Sequence, residues 1–165
     1  MIIIQDTREK IPWNLTGYEE CKGQEIETVY AGDYVLKSDP FLITIDRKRS
    51  VTEIAGNLGR YVERFERELE RMQRYQHRFI VCEFTYEELL KYPKGVKIPH
   101  HLKRRIRISG NFLAKQVTRL AEEYGVQFIF CNGVQEAQEK AIWLFKTILE
   151  YNEKQQYSSE LPTST

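Results

Sequence analysis

Asp33 and Asp46 are separated by twelve residues, and Lys48 follows the second aspartate by two. The stretches around them, Asp33 to Lys37 and Phe41 to Arg47, read as the arms of a hairpin turning at Ser38-Asp39-Pro40. Such a hairpin sets Asp33 within about one residue of lying opposite Asp46. Side chains alternate along a strand, so Thr44, Asp46 and Lys48 share one face and Phe41, Ile43 and Ile45 the other. Two carboxylates and an ammonium at one sheet edge suit Mg²⁺ or Mn²⁺, hard cations that take oxygen ligands. A cation held there can activate water and neutralise a phosphodiester during in-line attack. The lysine can orient that water or stabilise the crowded phosphate. The same spacing also fits a plain surface hairpin whose Asp–Lys ion pair contributes about 0–1 kcal/mol.

The elements that must hold these residues follow from patterning. Met1 to Gln5 is a continuous apolar run, the mark of a buried strand. Glu25 to Tyr30 alternates as a second strand. Ser50-Val51-Thr52-Glu53 has capping-box spacing and predicts one long helix, its apolar stripe running through Ile54, Leu58, Tyr61, Phe65, Leu69 and Met72. Gly56 and Gly59 inside it cost about 1 kcal/mol each against Ala, which points to close backbone approach there. Phe79 to Phe84 reads as a strand, Thr85-Tyr86-Glu87-Glu88 as the start of a short helix, and Pro93 to Ile108 as irregular. Ser109 caps a helix that Gly125 ends; Val126 to Cys131 is a last strand, and Val134 to about Lys154 a last helix. Interleaved strands and helices without a repeat give an α/β domain, a mixed sheet flanked by helices. Residues 1–153 form the domain and 154–165 a polar, disordered tail.

Composition narrows the function. A net charge of +1 averages residues 1–46 at −5, residues 47–133 at +8 and the remainder at −2. From Lys94 to Arg119 there are eight basic residues and no acid. An acidic end beside a basic middle suits a metal site next to a polyanion groove, though a solvated mixed-charge surface has the same composition. No glycine-rich phosphate loop or dinucleotide fingerprint is present. The longest aliphatic run, Ile2-Ile3-Ile4, is too short for a transmembrane helix. Asp6 and Glu9 argue against a signal peptide. Cys21, Cys82 and Cys131 are too few and too scattered for a disulfide framework or zinc, so a reducing cytosol is expected.

Asp6-Thr7-Arg8-Glu9 after the first strand, then Gly32-Asp33-Tyr34, Ile45-Asp46-Arg47-Lys48 and Gly59-Arg60-Tyr61 closely resemble, in order and spacing, the XPF/Hef-type nuclease domain. These are structure-specific DNA endonucleases of the PD-(D/E)xK superfamily, with a restriction-endonuclease-like fold. The resemblance implies a Mg²⁺- or Mn²⁺-dependent enzyme cutting branched, flap or forked DNA. It makes Asp33 and Asp46 metal-binding carboxylates, Lys48 the catalytic lysine, and Asp6 or Glu9 an acid that completes the metal site or supports its ligands from behind. Arg8 and Arg60 would face phosphate or brace carboxylates. It also implies a homodimer, since family members pair through helices; the broad aromatic stripe of the last helix, with Trp143 and Phe145 nearly opposed, fits that. Departures are an Asp where the family usually has Glu (Asp46), Thr52 with Glu53 following where an acid is usual, and Arg64 in place of Gln. No tandem helix-hairpin-helix module occurs within these residues. A catalytically inactive nuclease fold that binds DNA or scaffolds a partner is the alternative.

Other residues carry weaker signals. Lys103, Arg104, Arg105 and Arg107 read as a phosphate-contact surface or as a solvated loop. His100 and His101 lack partners at zinc-ligand spacing. Glu53 serves as capping partner of Ser50 or as the displaced acid. Arg47 points to the far face as a structural residue. Glu83 reads as an edge-exposed carboxylate rather than a brace, and Trp13 as a loop anchor rather than a base-stacking residue.

Overall fold

The computed structural model describes residues 1–160, with side chains through Tyr157. One six-stranded sheet has the order β2-β1-β3-β4-β5-β6. β3 (Tyr34–Leu36) is its pivot, pairing antiparallel with both β1 (Ile2–Asp6) and β4 (Ile43–Lys48). β5 (His77–Cys82) and β6 (Gln127–Phe130) continue from β4 in parallel, and β2 (Gly23–Glu27) lies parallel to β1 at the opposite edge. The parallel joints need crossovers, which the helices supply. The result is the mixed sheet flanked by helices that the patterning predicts, consistent with the restriction-endonuclease-like fold that the family resemblance implies.

Alternation along the strands builds two cores. Ile4, Val35, Ile80 and Cys82 face one side, with α1 (Val51–Leu58), α2 (Val62–Met72), α3 (Tyr86–Lys91) and α5 (Gly110–Tyr124) packed on them through Ile54, Leu69, Leu89 and Leu113. Ile3, Leu36, Ile43 and Val81 face the other, covered by α6 (Val134–Glu160) through Ala141 and Phe145 and by Trp13 and Leu15 of the first loop. Each fully buried aliphatic or aromatic side chain contributes about 1.5–3 kcal/mol. Burial on both faces explains why β4 is buried along its whole length, including Asp46, Arg47 and Lys48.

The predicted long helix is two. α1 stops at Gly59 and α2 restarts after Tyr61, which caps α2 without a side-chain bond and stands exposed instead of continuing the apolar stripe. Gly59 is the close approach the glycines foretell: a Cβ there would lie 2.2 Å from Ile108 Cδ1 and 3.0 Å from the Ala55 carbonyl. Gly56 has no such constraint, its nearest neighbour being the Tyr61 ring at 3.7 Å. Ser50 and Ser109 cap as the sequence predicts, accepting from the N–H groups of Glu53 and Phe112, and Gly125 ends α5 in the left-handed region.

Two further details differ from the sequence reading. The basic stretch contains one short helix, α4 (His100–Lys103). α6 runs on to Glu160, where a polar tail from residue 154 is predicted, and residues 161–165 lie outside the described residues. Among the described residues all three cysteines are free and buried, and no helix is long and apolar enough to cross a membrane.

Candidate active site

β3 and β4 meet where the hairpin reading puts the two carboxylates. Asp33 precedes β3; its N–H donates to the Ile45 carbonyl at 2.8 Å, and its Oδ2 accepts from the Arg47 N–H at 2.7 Å. The backbone on either side of Asp46 therefore holds Asp33. Gly32 makes this turn at φ +83, and a Cβ there would meet Thr44 Oγ1 at 2.2 Å, so only glycine fits. Asp46 and Lys48 project to the same face, with Lys48 Nζ 2.7 Å from Asp46 Oδ1 and 4.9 Å from the Phe65 ring centroid.

These three side chains line a cavity of about 420 Å³ closed by α1 and α2. Its electrostatics are strained by design of the fold. Burial, and then the neighbouring Asp46, push the Asp33 carboxyl up to about 8 despite the hydrogen bond from Arg47. Burial of the Lys48 ammonium would lower its pKa, but the adjacent Asp46 outweighs burial and leaves it raised and charged. Asp46 Oδ1 is buried, with the Lys48 ammonium 2.7 Å away. A buried carboxylate met by one ammonium, beside a second carboxylate whose ionised form burial disfavours, is an oxygen donor set that a divalent cation would complete. Mg²⁺ or Mn²⁺ fits it. Among the described residues no three carboxylate, histidine or cysteine side chains converge as a closed metal cage. Mg²⁺ needs none, since it is commonly held by one or two carboxylates with water and substrate phosphate completing the shell.

The other residues singled out from sequence are distributed differently. Arg8 reaches the cavity, but it is held there by Asp6: Arg8 Nε and Nη2 donate to the two Asp6 oxygens at 3.0 and 2.6 Å. Burial would raise the Asp6 pKa, yet the bonds and charge of Arg8 outweigh it and hold that carboxyl below its usual value. Glu9 does not line the cavity. Its Oε1 accepts from the Ile11 N–H and lies 3.8 Å from Arg47 Nη1, on the opposite side of the sheet from Lys48. Arg60 stands over the Tyr61 ring at 5.4 Å without lining the cavity, and Lys103, Arg104, Arg105 and Arg107 are exposed away from it.

Glu53 reconciles its two readings. Its N–H takes the Ser50 cap, its Oε2 accepts from the N–H of Arg49 rather than Ser50, and the residue lines the cavity. Arg47 points away from the face that carries Asp46 and Lys48, as alternation requires. There Glu83 corrects its sequence reading: instead of standing exposed, Glu83 Oε1 is nearly buried and accepts from Arg47 Nε at 2.6 Å and Trp13 Nε1 at 2.5 Å. Trp13 is the expected anchor, stacked on Tyr34 at 4.9 Å with 13° between the rings.

Sequence reasoning singled out Arg64 but missed the wall it belongs to, where Arg64, Arg67 and Arg71 of α2 line the cavity with Glu68, the partner of Arg71. Their spacing of three and four was visible, but only the apolar stripe of that helix was read. Asn57 of α1 was also missed; it lines the cavity with a buried, unpartnered Oδ1.

The fold has known counterparts. The fold is similar to that of XPF from Aeropyrum pernix, with a TM-score of 0.65 at 18% identity over 100% of this chain and 76% of that one. It is also similar to XPF from Aeropyrum pernix in complex with DNA, with a TM-score of 0.58 at 17% identity over 92% of this chain and 64% of that one. No curated protein matches the sequence. The family model that does match is that of the ERCC4 domain, over residues 5–141, and the chain belongs to that family.

Proposed function

We propose that this chain is a divalent-metal-dependent DNA endonuclease that hydrolyses phosphodiester bonds, with branched, flap or forked DNA as its substrate class. The observation that carries the reading is the buried pair Asp33 and Asp46, with the Lys48 ammonium beside it, in a cavity faced by Arg8 and the arginines of α2. Family membership and the relative captured in complex with DNA support nucleic acid as the ligand.

Asp33 and Asp46 would hold the cation. When bound, Mg²⁺ or Mn²⁺ polarises a phosphodiester oxygen and lowers the pKa of water. The chain's own residues do the rest. Lys48 supplies a fixed positive charge, anchored by Asp46, against the negative charge that grows on the phosphate in the transition state. Arg8, Arg64 and Arg67 hold flanking phosphates in line. Water attacks phosphorus, the bond to the leaving sugar oxygen breaks, and that oxygen takes up a proton. Asp6 and Glu9 act through Arg8 and Arg47 as supports, and Arg60 with Lys103, Arg104, Arg105 and Arg107 forms an outer phosphate surface. The chain pairs with a second copy through α6, where Trp143 and Tyr151 are 55% and 60% exposed while Phe145 is buried in the core. Such exposed aromatics are common at interfaces.

The test is cleavage of labelled duplex, single strand, fork, flap and four-way junction with Mg²⁺ or Mn²⁺, beside Asp46→Ala and Lys48→Ala. Cleavage that vanishes in both variants supports the reading and ranks the substrates. DNA that is bound but never cut favours the inactive scaffold.

A further inference from the structure

A second concavity, unused by this chemistry, lies where the β3–β4 turn meets Val29 and Tyr30. It measures about 400 Å³, in the range of small-ligand sites, with Ile4, Val29 and Val35 at its floor and Tyr30, Phe41 and Tyr75 around it. Tyr30 and Phe41 are 44% and 43% exposed, more than a purely core-filling role requires. The rings brace one another, Tyr30 against Phe41 edge-to-face at 6.2 Å and 62°, and Phe41 against Tyr75 tilted at 5.2 Å and 44°. Arg74 holds its guanidinium 4.7 Å from the Tyr30 centroid and 5.5 Å from that of Phe41. Aromatic faces with an arginine across them form a platform for a planar, electron-rich ring carried on an anionic chain.

One segment joins this platform to the cavity of Asp33. The Val29 carbonyl accepts from Arg8 Nη2 at 3.2 Å, the Ala31 N–H donates to Tyr75 Oη at 3.1 Å, and the Gly32 N–H donates to Glu68 at 3.0 Å. Val29 and Tyr30 line one concavity while Gly32 and Asp33 line the other. Tyr30 and Asp33 are three residues apart, so their Cα atoms are separated by at most about 11 Å. A nucleic-acid strand whose phosphate sits at the carboxylates has its neighbouring bases within reach of the rings.

We propose that this concavity is a nucleobase subsite: it receives one unpaired base of the strand being cut, stacked on the Tyr30 ring with Phe41 at its edge, and Arg74 on the adjoining phosphate. The proposal rests on the nuclease reading and sharpens its substrate class. A base inside an intact duplex has both faces covered by its neighbours, so the subsite favours a strand with an unpaired nucleotide beside the incision.

Binding is the readout. Forked oligonucleotides carrying a single abasic site, moved one nucleotide at a time along the unpaired strand, are titrated with the full chain by fluorescence anisotropy, with Ca²⁺ replacing Mg²⁺. One position is expected to weaken binding roughly 5- to 100-fold, the effect of losing one base–aromatic stack. Tyr30→Ala or Phe41→Ala should weaken binding of the intact fork by a similar factor and erase the position dependence, while Tyr30→Phe keeps both. A flat abasic profile with a fork that is still bound and cut overturns the subsite and leaves the nuclease reading standing. So does position dependence that survives in both alanine variants. Absence of any nucleic-acid binding or cleavage overturns both. If Tyr30→Ala fails to fold, the abasic profile and Phe41→Ala decide.

Discussion

The backbone N–H of Arg47 donates to Asp33 Oδ2 at 2.7 Å, so the residue after one carboxylate holds the other. With the Ile45 carbonyl taking the Asp33 N–H, the two aspartates cannot move apart unless β3 and β4 open. Their repulsion has to be relieved by a proton or by a cation.

Without metal the relief is a proton. Asp33 titrates at about 8 in the folded chain against an ordinary 3.8. Between those values the native state binds more protons than the unfolded one, so stability falls as pH rises, by up to about 1.4 kcal/mol per unit. The contribution is full below pH 3.8 and gone above about pH 8. Urea unfolding in EDTA across this range should show the slope. Asp33→Asn should flatten it, and Mn²⁺ should restore the parent at high pH but do less for the variant.

Lys48→Ala removes the cation of a buried pair and leaves Asp46 uncompensated, a loss of about 3–5 kcal/mol in stability. Saturating Mn²⁺ should recover part of it, because a divalent ion can compensate the same carboxylate. Single-turnover cleavage at full saturation should still be down by about 10²–10³, the effect of losing one fixed charge at the transition state. Unfolding and cleavage measured on one preparation separate the two effects.

On the far side of the sheet, Glu83→Ala strips Arg47 of its nearest carboxylate and leaves Glu9 at 3.8 Å. A drop of about 3–5 kcal/mol is expected. Glu83→Gln, which can still accept from Arg47 and Trp13, should lose less. Thermal melts rank the variants, and Mn²⁺ affinity below the melt should be unchanged in both, since neither touches the carboxylate cavity.

The arginine wall makes a prediction about salt. Arg64 and Arg67 are exposed and line the cavity. Replacing both with Ala should change stability by no more than about 0.5 kcal/mol each. The slope of log affinity against log salt should fall by about 2, one lost phosphate contact per arginine. Arg104→Ala with Arg105→Ala gives the comparison. A slope that responds only to that pair would move the grip to the basic loop.

The arrangement of β4 was legible because strand alternation is rigid: a carboxylate at Asp46 puts Lys48 on its own face and Arg47 on the other. Caps at Ser50, Thr85 and Ser109 were equally readable, since each is a local bond three residues long. Partners chosen by tertiary packing were not. Glu83 finds Arg47 and Trp13 across 36 and 70 residues, and no local pattern announces either. Glu9 matches an acid of the family's first motif, but only the turn after β1 decides that its carboxylate lies 3.8 Å from Arg47.

The interruption at Gly59 sets the phase between two halves of one cavity. Glu53 and Arg71 are eighteen residues apart, about 27 Å in an unbroken helix, yet both line the same space. A residue inserted between Leu58 and Val62 has two outcomes. Either the turn absorbs it and α2 stays docked, or α2 rotates by about 100° and carries Phe65, Leu69 and Met72 off the core together with its arginines. The apolar stripe and the arginine row move as one body, so the turn that seats the core also aims the charges at the carboxylates.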